Sequence, residues 1–426
     1  LLWLNAQNPS NITSQMNISG LQTGEQIVSI DFRPATGQLY GLGNASRIYV
    51  IDTKTGNARA VNSTPFNPAL SGSSFAFDFN PTVDRIRLVS DNGQNLRLNP
   101  ETGTVAATDL SINGIMGAKI GSVAYTQNRA GATTTTLFDI DATTNKLYKQ
   151  DPPNDGKLVE IGSLGYDIDE TGGFDINPDG NAALAALSTN GKSSLYTIDI
   201  NTGKAGKIGD FTQKIIGLAI PTEPVAYAIS TNNELLIFNH TSTNPTSINK
   251  SITGIQSGEI ILGLDMRPLN GQLYALGSTS RIYTINASSG AATLVGAGAM
   301  ATLIVGNQFG FDFNPTVDRI RIVSNLGQNL RVNPMDATLT LDGNITLAGA
   351  NISGAAYTNN FAGATTTVLF EIVANRNRLY KQDPPNNGTL VDVGPLGIDI
   401  ERSNGFDIGG TSGTAYGIFT VGAAQR

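Results

Sequence analysis

The 426-residue sequence contains no cysteine, a single histidine, His240, and only 14% charged residues. The missing cysteines exclude disulfides and thiolate metal centres. With one histidine, Ser-His and Cys-His nucleophilic mechanisms have almost no general base to draw on, and histidine-ligated zinc or iron is not expected. His240 has Ala6 as its counterpart in the repeat described below, which marks a variable strand position. No apolar run approaches the roughly 20 residues of a membrane helix. A net charge of −7 and a pI near 4.8 argue against nucleic acid or an anionic membrane as partner, since both need basic patches.

What is abundant is Gly, with 48 residues, together with Asn, Thr and Ser, a composition of strands and turns. The chain also says the same thing twice. Phe77-Asp78-Phe79-Asn80-Pro81-Thr82-Val83-Asp84-Arg85-Ile86-Arg87 returns unchanged from Phe311 to Arg321, a shift of 312 − 78 = 234 residues. Lys149 to Asn154 returns as Lys381 to Asn386, a shift of 232. The boundary between copies falls near 222, giving copies at 1–222 and 223–426.

A shorter period runs inside each copy. Ile27–Pro34, Gln38–Leu42, Arg47–Asp52 and Ala58–Val61 are four β-rich runs split by turn residues, and similar sets of four follow from Phe75, Ser122, Gly173 and Ile215. Four short strands in roughly 47 residues is the period of a β-propeller blade. The expected fold is therefore all-β, a β-propeller of about nine four-stranded blades in one large ring or in two tandem propellers. Eight blades are whole. The ninth is a composite, because Leu1–Asn5 and Met16–Ile18 match third and fourth strands, whereas Gly405–Ile408 and Ala415–Phe419 match first and second strands. Leu1, Leu2, Trp3 and Leu4 at one end, and Tyr416, Ile418 and Phe419 at the other, are the residues expected to complete it. Completion occurs either within the chain or by strand exchange with a neighbouring copy, which would build a head-to-tail filament.

Gly24 to Tyr40, the duplicated Phe77–Arg87 block and Ala362-Gly363-Ala364-Thr365-Thr366-Thr367 resemble the bacterial family called domain of unknown function 4394, over nearly the whole chain as two copies. The resemblance implies a propeller-like fold and an exported or cell-surface protein, and it supplies no catalytic residues.

Repeated aspartates are the main candidate site residues. Asp31, Asp78, Asp175, Asp265, Asp312 and Asp407 each follow an apolar residue near the end of a first strand. Period two puts Asp78 opposite the aromatics of its strand, on a face that must pack against a neighbouring blade. A structural role is expected for Asp31, Asp78, Asp265 and Asp312, with backbone donors or an arginine as partners: Arg87 or Arg97, and Arg321 or Arg331. A metal or acid/base site at the propeller mouth is the alternative. Asp175, Asn177 and Asp179 have the alternating oxygen spacing of a calcium loop, but the twelfth position, which should be Glu, is Ala186. A plain turn is expected there, with no cofactor other than calcium as a candidate.

The functional expectation is a non-enzymatic extracellular scaffold or adhesion subunit, with itself or surface glycans as partners. Glycan or ligand binding through loops near Tyr125, Tyr357 and Trp3, and a metal-assisted, lactonase-like hydrolase, are the alternatives.

Overall fold

The computed structural model describes residues 1–243, 245–410, 412–422 and 424–425. The chain is all-β and folds as two compact units, one of residues 1–225 with 239–246, the other of 226–238 with 247–426. Among the described residues there are seven four-stranded sheets, two three-stranded sheets and one two-stranded sheet. Every four-stranded sheet is an antiparallel meander in sequence order, the plan of a propeller blade.

In the first unit the four blades open on Ile27–Phe32, Phe75–Asn80, Ile120–Tyr125 and Glu170–Ile176. Each first strand packs beside the next, so the four stand around a common axis. In the second unit Ile261–Arg267, Phe309–Asn314, Ile352–Tyr357 and Arg402–Ile408 stand in the same succession. Both faces of a blade are covered by its neighbours, so these strands carry apolar residues on one face and small or polar ones on the other. Phe79, Ile86, Leu88, Leu96 and Leu98 fill the space between the first two blades at 0% exposure. Burying each such side chain contributes about 1.5–3 kcal/mol.

Two expectations from the sequence are corrected by the pairing. The set of four strands read from Ile215 to Ile252 is not one sheet: Ala226–Ile229, Glu234–Phe238 and Ile248–Ser251 form a three-stranded sheet in the second unit. Residues 215–221 instead lie in the first unit, between its fourth and first blades. Glycine permits this approach, since a Cβ on Gly173 (φ +130°) would stand 2.4 Å from the Leu218 nitrogen. A Cβ on Gly217 would stand 3.0 Å from Ile30 Cγ1. The second correction concerns the N-terminal partner strand, which is Asn8–Gln15 rather than Met16–Ile18. Leu2–Asn5 pairs with it, and Trp3 sets its ring 6.5 Å from that of Phe32.

Arg402–Ile408 pairs with Ala415–Val421, which pairs with Ala424–Gln425. In the first unit the counterpart of Ala415–Val421 is Ala183–Thr189, whose Ala185, Ala186 and Leu187 are fully buried. On Ala415–Val421, Tyr416 is 42% exposed, while Ile418 and Phe419 are half-buried.

Candidate functional site

The first strands bring three carboxylates together on the axis of each unit. Asp31, Asp78 and Asp175 each offer an oxygen within 4.8 Å of the others, and so do Asp265, Asp312 and Asp407. Their backbone partners show how the fold positions them. Asp31 accepts from its neighbour Phe32 N–H at 2.7 Å, and through its other oxygen from Phe79 N–H of the next blade at 2.8 Å. Asp78 accepts from Tyr125 N–H, one blade further on, at 3.0 Å. Asp175 accepts from Ile176 N–H at 2.6 Å and from Ile220 N–H of the closing segment. The second unit repeats this, with Asp265 taking Phe313 N–H at 2.7 Å and Asp312 taking Tyr357 N–H at 3.0 Å. Asp31, Asp78, Asp265 and Asp312 thus do the work of a ladder hydrogen bond between first strands that do not pair directly, and Asp175 does so towards the closing segment.

The third blade has no aspartate on this ring. Asn128, three residues beyond the end of Ile120–Tyr125, takes the place instead: its Nδ2 donates to Asp175 Oδ1 at 3.4 Å. Asn128 is 0% exposed, and its Oδ1 has no hydrogen-bond partner. Asn360, the equivalent residue in the second unit, also has a buried, unpartnered Oδ1.

Electrostatically the cluster is costly. Asp31 and Asp78 are 1% exposed and Asp175 0%. Two unit charges within 4.8 Å repel by about 3 kcal/mol or more at an effective dielectric near 20. Burial, reinforced by the Asp175 charge, raises the Asp31 pKa well above the carboxylate range. Burial and the charges of Asp31 and Asp175 do the same to Asp78. Burial lifts Asp175 to about 7 against its backbone hydrogen bonds and Asn128. Burial and Asp407 likewise raise Asp265. An oxygen-only group of three carboxylates and an amide has the donor chemistry of a hard cation.

The expected arginine partners of these aspartates are engaged elsewhere. Arg87 bonds Asp109 at 2.6 Å, Asn95 at 2.7 Å, the Tyr125 hydroxyl at 3.3 Å and Asn154 at 2.7 Å. Arg97 holds Asp109 through both its Nε and an Nη. Arg321 repeats the set with Asp342, Asn329, Tyr357 and Asn386, and Arg331 again holds the shared aspartate, Asp342. The structural role expected for Arg87 and Arg321 therefore takes a different form, a knot that ties one blade to the Asp-Pro-Pro-Asn turn of the next.

Asp175 belongs to the axial cluster, whereas Asn177 and Asp179 do not. The Asn177 side chain is bound to Ala182 N–H and Asn181 within its own turn, and Asp179 is exposed. Residues 177–180 form a turn held by the Asn177 side chain. His240 is in neither carboxylate group. Sequence reasoning passed over Asn128 and Asn360, although both stand at the 232 shift just before the Ala-Gly-Ala-Thr-Thr-Thr run that the two copies share. It also passed over the buried pairing of Arg33 with Asp84, both oxygens engaged, with Glu101 at 2.9 Å from Arg33. The signal was present, since Arg33 and Asp84 both return at the 234 shift as Arg267 and Asp318, and these two pair as well.

A cavity of about 260 Å³ opens along the first unit's axis, lined by the early residues of the first strands, such as Ile27, Ser29, Ser74, Gly121 and Thr171; none of the three aspartates lines it.

Two units of blade-like meanders around acid-lined axes define a tandem β-propeller. The family model described as domain of unknown function (DUF4394) matches residues 1–219 and 234–426, and the chain belongs to this family in two copies. No curated protein matches the sequence. Among solved structures, a Kuenenia stuttgartiensis hydrazine synthase aligns at 12% identity over 94% of this chain and 98% of that one, with a TM-score of 0.30. The β-propeller domain of Myceliophteria thermophila Cps50 (Swd1) aligns at 13% identity over 79% and 91%, with a TM-score of 0.27. The Dos1 propeller aligns at 13% over 72% and 78%, with a TM-score of 0.28. Scores this low leave the fold to be read from the strand pairing itself.

Proposed function

We propose that the chain is a non-enzymatic β-propeller scaffold of the bacterial cell exterior, acting as a structural or adhesion subunit. The observation that carries this reading is how the repeated polar groups are used. Asp31, Asp78 and Arg87, with their counterparts Asp265, Asp312 and Arg321, all bind the neighbouring blade. A hydrolase needs its acid, base or metal open to substrate, and the first unit's axial carboxylates are almost fully buried.

The reading extends to self-association. Leu2–Asn5, carrying Trp3 and Leu4, and Ala415–Val421, carrying Tyr416, Ile418 and Phe419, are the strands we assign to pairing between molecules. Strand addition along Leu2–Asn5, and beside the part of Ala415–Val421 before Thr420 that the pairing with Ala424–Gln425 does not reach, gives main-chain hydrogen bonds and a head-to-tail polymer. Electron microscopy of the concentrated chain is expected to reveal filaments that shorten or vanish on Tyr416→Lys. Monodisperse single particles at every concentration would overturn the assembly. Turnover of an ester, lactone or phosphate substrate, lost in Asp78→Asn, would overturn the non-enzymatic reading.

One observation favours a glycan- or ligand-binding role as the second reading. A cavity of about 450 Å³ beside Tyr125 is lined by Arg85, Arg97, Thr133, Thr135 and Asn154, a polar wall suited to hydroxyl-rich or anionic ligands. Glycan-array binding abolished by Thr135→Trp would support it.

A further inference from the structure

We propose that the axial cluster of the first unit is a binding site for a hard divalent cation of the calcium type, with Asp31, Asp78, Asp175 and Asn128 as its protein ligands. Three features of the geometry argue for it. The carboxylate oxygens lie within 4.8 Å of one another, close enough to share one ion. Among the described residues no lysine or arginine pairs with them, so nothing in the protein neutralises three acids held at 0–1% exposure. The independent mark is Asn128. It is wholly buried, its amide lies against Asp175, and its Oδ1 is left without a hydrogen-bond partner. A buried amide oxygen without a partner is costly, and ligation to a cation relieves that cost.

The donor set selects the class of ion. All four ligands are oxygens, which excludes the soft-metal chemistry of thiolates and leaves hard cations. The carboxylates are tethered by backbone N–H groups on four different segments: Phe32, Phe79, Tyr125 and Ile220. Such a ring does not offer the near-ideal octahedron that magnesium demands, while calcium accepts irregular shells completed by water. The cation would add a fourth kind of inter-blade tie, at the point where residues 215–221 close the ring. Asp265, Asp312, Asp407 and Asn360 form the equivalent group in the second unit, where Asp407 is more exposed, so that site is the weaker of the two.

The test uses the full chain stripped with chelator and then titrated with calcium chloride alone. Calorimetry is expected to give saturable binding, and the first unit's melting temperature is expected to rise by roughly 5–10 °C at saturation. Asn128→Ala should weaken calcium binding by on the order of tenfold. Asn128→Asp supplies a fourth carboxylate, so it should melt below the parent chain in chelator and recover at or above it in calcium, a reversal that a merely structural asparagine would not give. Terbium luminescence in the parent chain, displaced by calcium and reduced in Asp78→Asn to the contribution of the second unit's weaker group, supports the site as well. A folded parent chain with no calcium-dependent melting shift overturns the proposal whatever the variants do. Undiminished binding in the Asp78→Asn and Asn128→Ala variants also overturns it, because the ion then sits elsewhere.

Discussion

Asp78 and Arg87 face each other as direct cross-strand partners, yet they do not bond to one another. Both reach instead to Tyr125 of the next blade, Asp78 accepting its backbone N–H and Arg87 donating to its hydroxyl. Asp312, Arg321 and Tyr357 repeat the relationship. Directly opposed residues project on the same face of an antiparallel pair, so both side chains meet the neighbouring blade. The short one turns towards the axis and the long one outwards to the Asp-Pro-Pro-Asn turn. The carboxylate is thereby left without its obvious counter-charge.

Arg87→Met should destabilise the first unit by about 3–5 kcal/mol, since it strips a buried charge-bonded knot and takes their donor from the Oδ1 atoms of Asn95 and Asn154. Arg97→Met, at a side chain 35% exposed, should cost no more than about 1 kcal/mol. Urea denaturation followed by the fluorescence of Trp3, the only tryptophan, reads the first unit, because Trp3 packs on Phe32 there. Equal losses for the two variants would refute the assignment.

How far the site was legible follows from the same residues. Alternation along Phe75–Asn80 was enough to place Asp78 on a buried face, and the 234-residue shift was enough to find blades and repeat. Strand boundaries came through because turns such as Ala35-Thr36-Gly37 punctuate them. The partner of Asp78 was not legible. Proximity in the ladder favoured Arg87, and only the positions of neighbouring blades show that the guanidinium has better offers from Asp109, Asn154 and Tyr125. Asn128 stayed hidden for a related reason. It substitutes for an aspartate from a different point along its blade, so no fixed spacing announces it. The placement of residues 215–221 depends on backbone approaches at Gly173 and Gly217, which are decided by packing and leave no periodic trace.

Without a bound cation, the first unit should lose stability as pH rises from about 4 to about 7. The Asp175 pKa is raised from 3.8 to about 7, and those of Asp31 and Asp78 are raised by burial and mutual repulsion. Protons therefore bind the folded state more tightly. Their stabilisation is complete below the unfolded value and is lost as pH climbs through the folded one. For Asp175 alone the difference is on the order of 4 kcal/mol. Thermal melts in chelator between pH 4.5 and 7.5 should fall steadily, and saturating calcium should flatten the trend. A melting temperature that rises across this window in chelator would contradict the mutual burial of these acids.

Asp78→Asn and Asp31→Asn should differ in sign when measured in chelator at pH 7.5. Asp78 accepts a backbone hydrogen bond only through Oδ1, so an asparagine can keep Tyr125 N–H and turn its amide NH₂ towards the remaining carboxylates. That variant should be more stable than the parent chain, by about 1–3 kcal/mol. Asp31 accepts through both oxygens, from Phe32 and Phe79, and an asparagine there sets its NH₂ against one of those N–H groups. It should gain little or lose stability. Denaturant midpoints of the two variants decide the matter, and a stabilised Asp31→Asn with a destabilised Asp78→Asn would reverse the reading.

Closure of the first unit by residues 215–221 can be tested at Gly173. A Cβ there would press within 2.4 Å of the Leu218 nitrogen at a backbone φ of +130°, which side-chain-bearing residues rarely adopt. Gly173→Ala should therefore push the closing segment off the fourth blade and break the Ile220 N–H bond to Asp175, at a cost of about 2–4 kcal/mol. Lys214, just before the segment and paired with Glu170 at 2.8 Å, then becomes a trypsin site. Limited proteolysis of the variant should give a new cut after Lys214 while the second unit stays intact. An unchanged digestion pattern and an unchanged melting temperature would mean that the segment does not hold the ring closed.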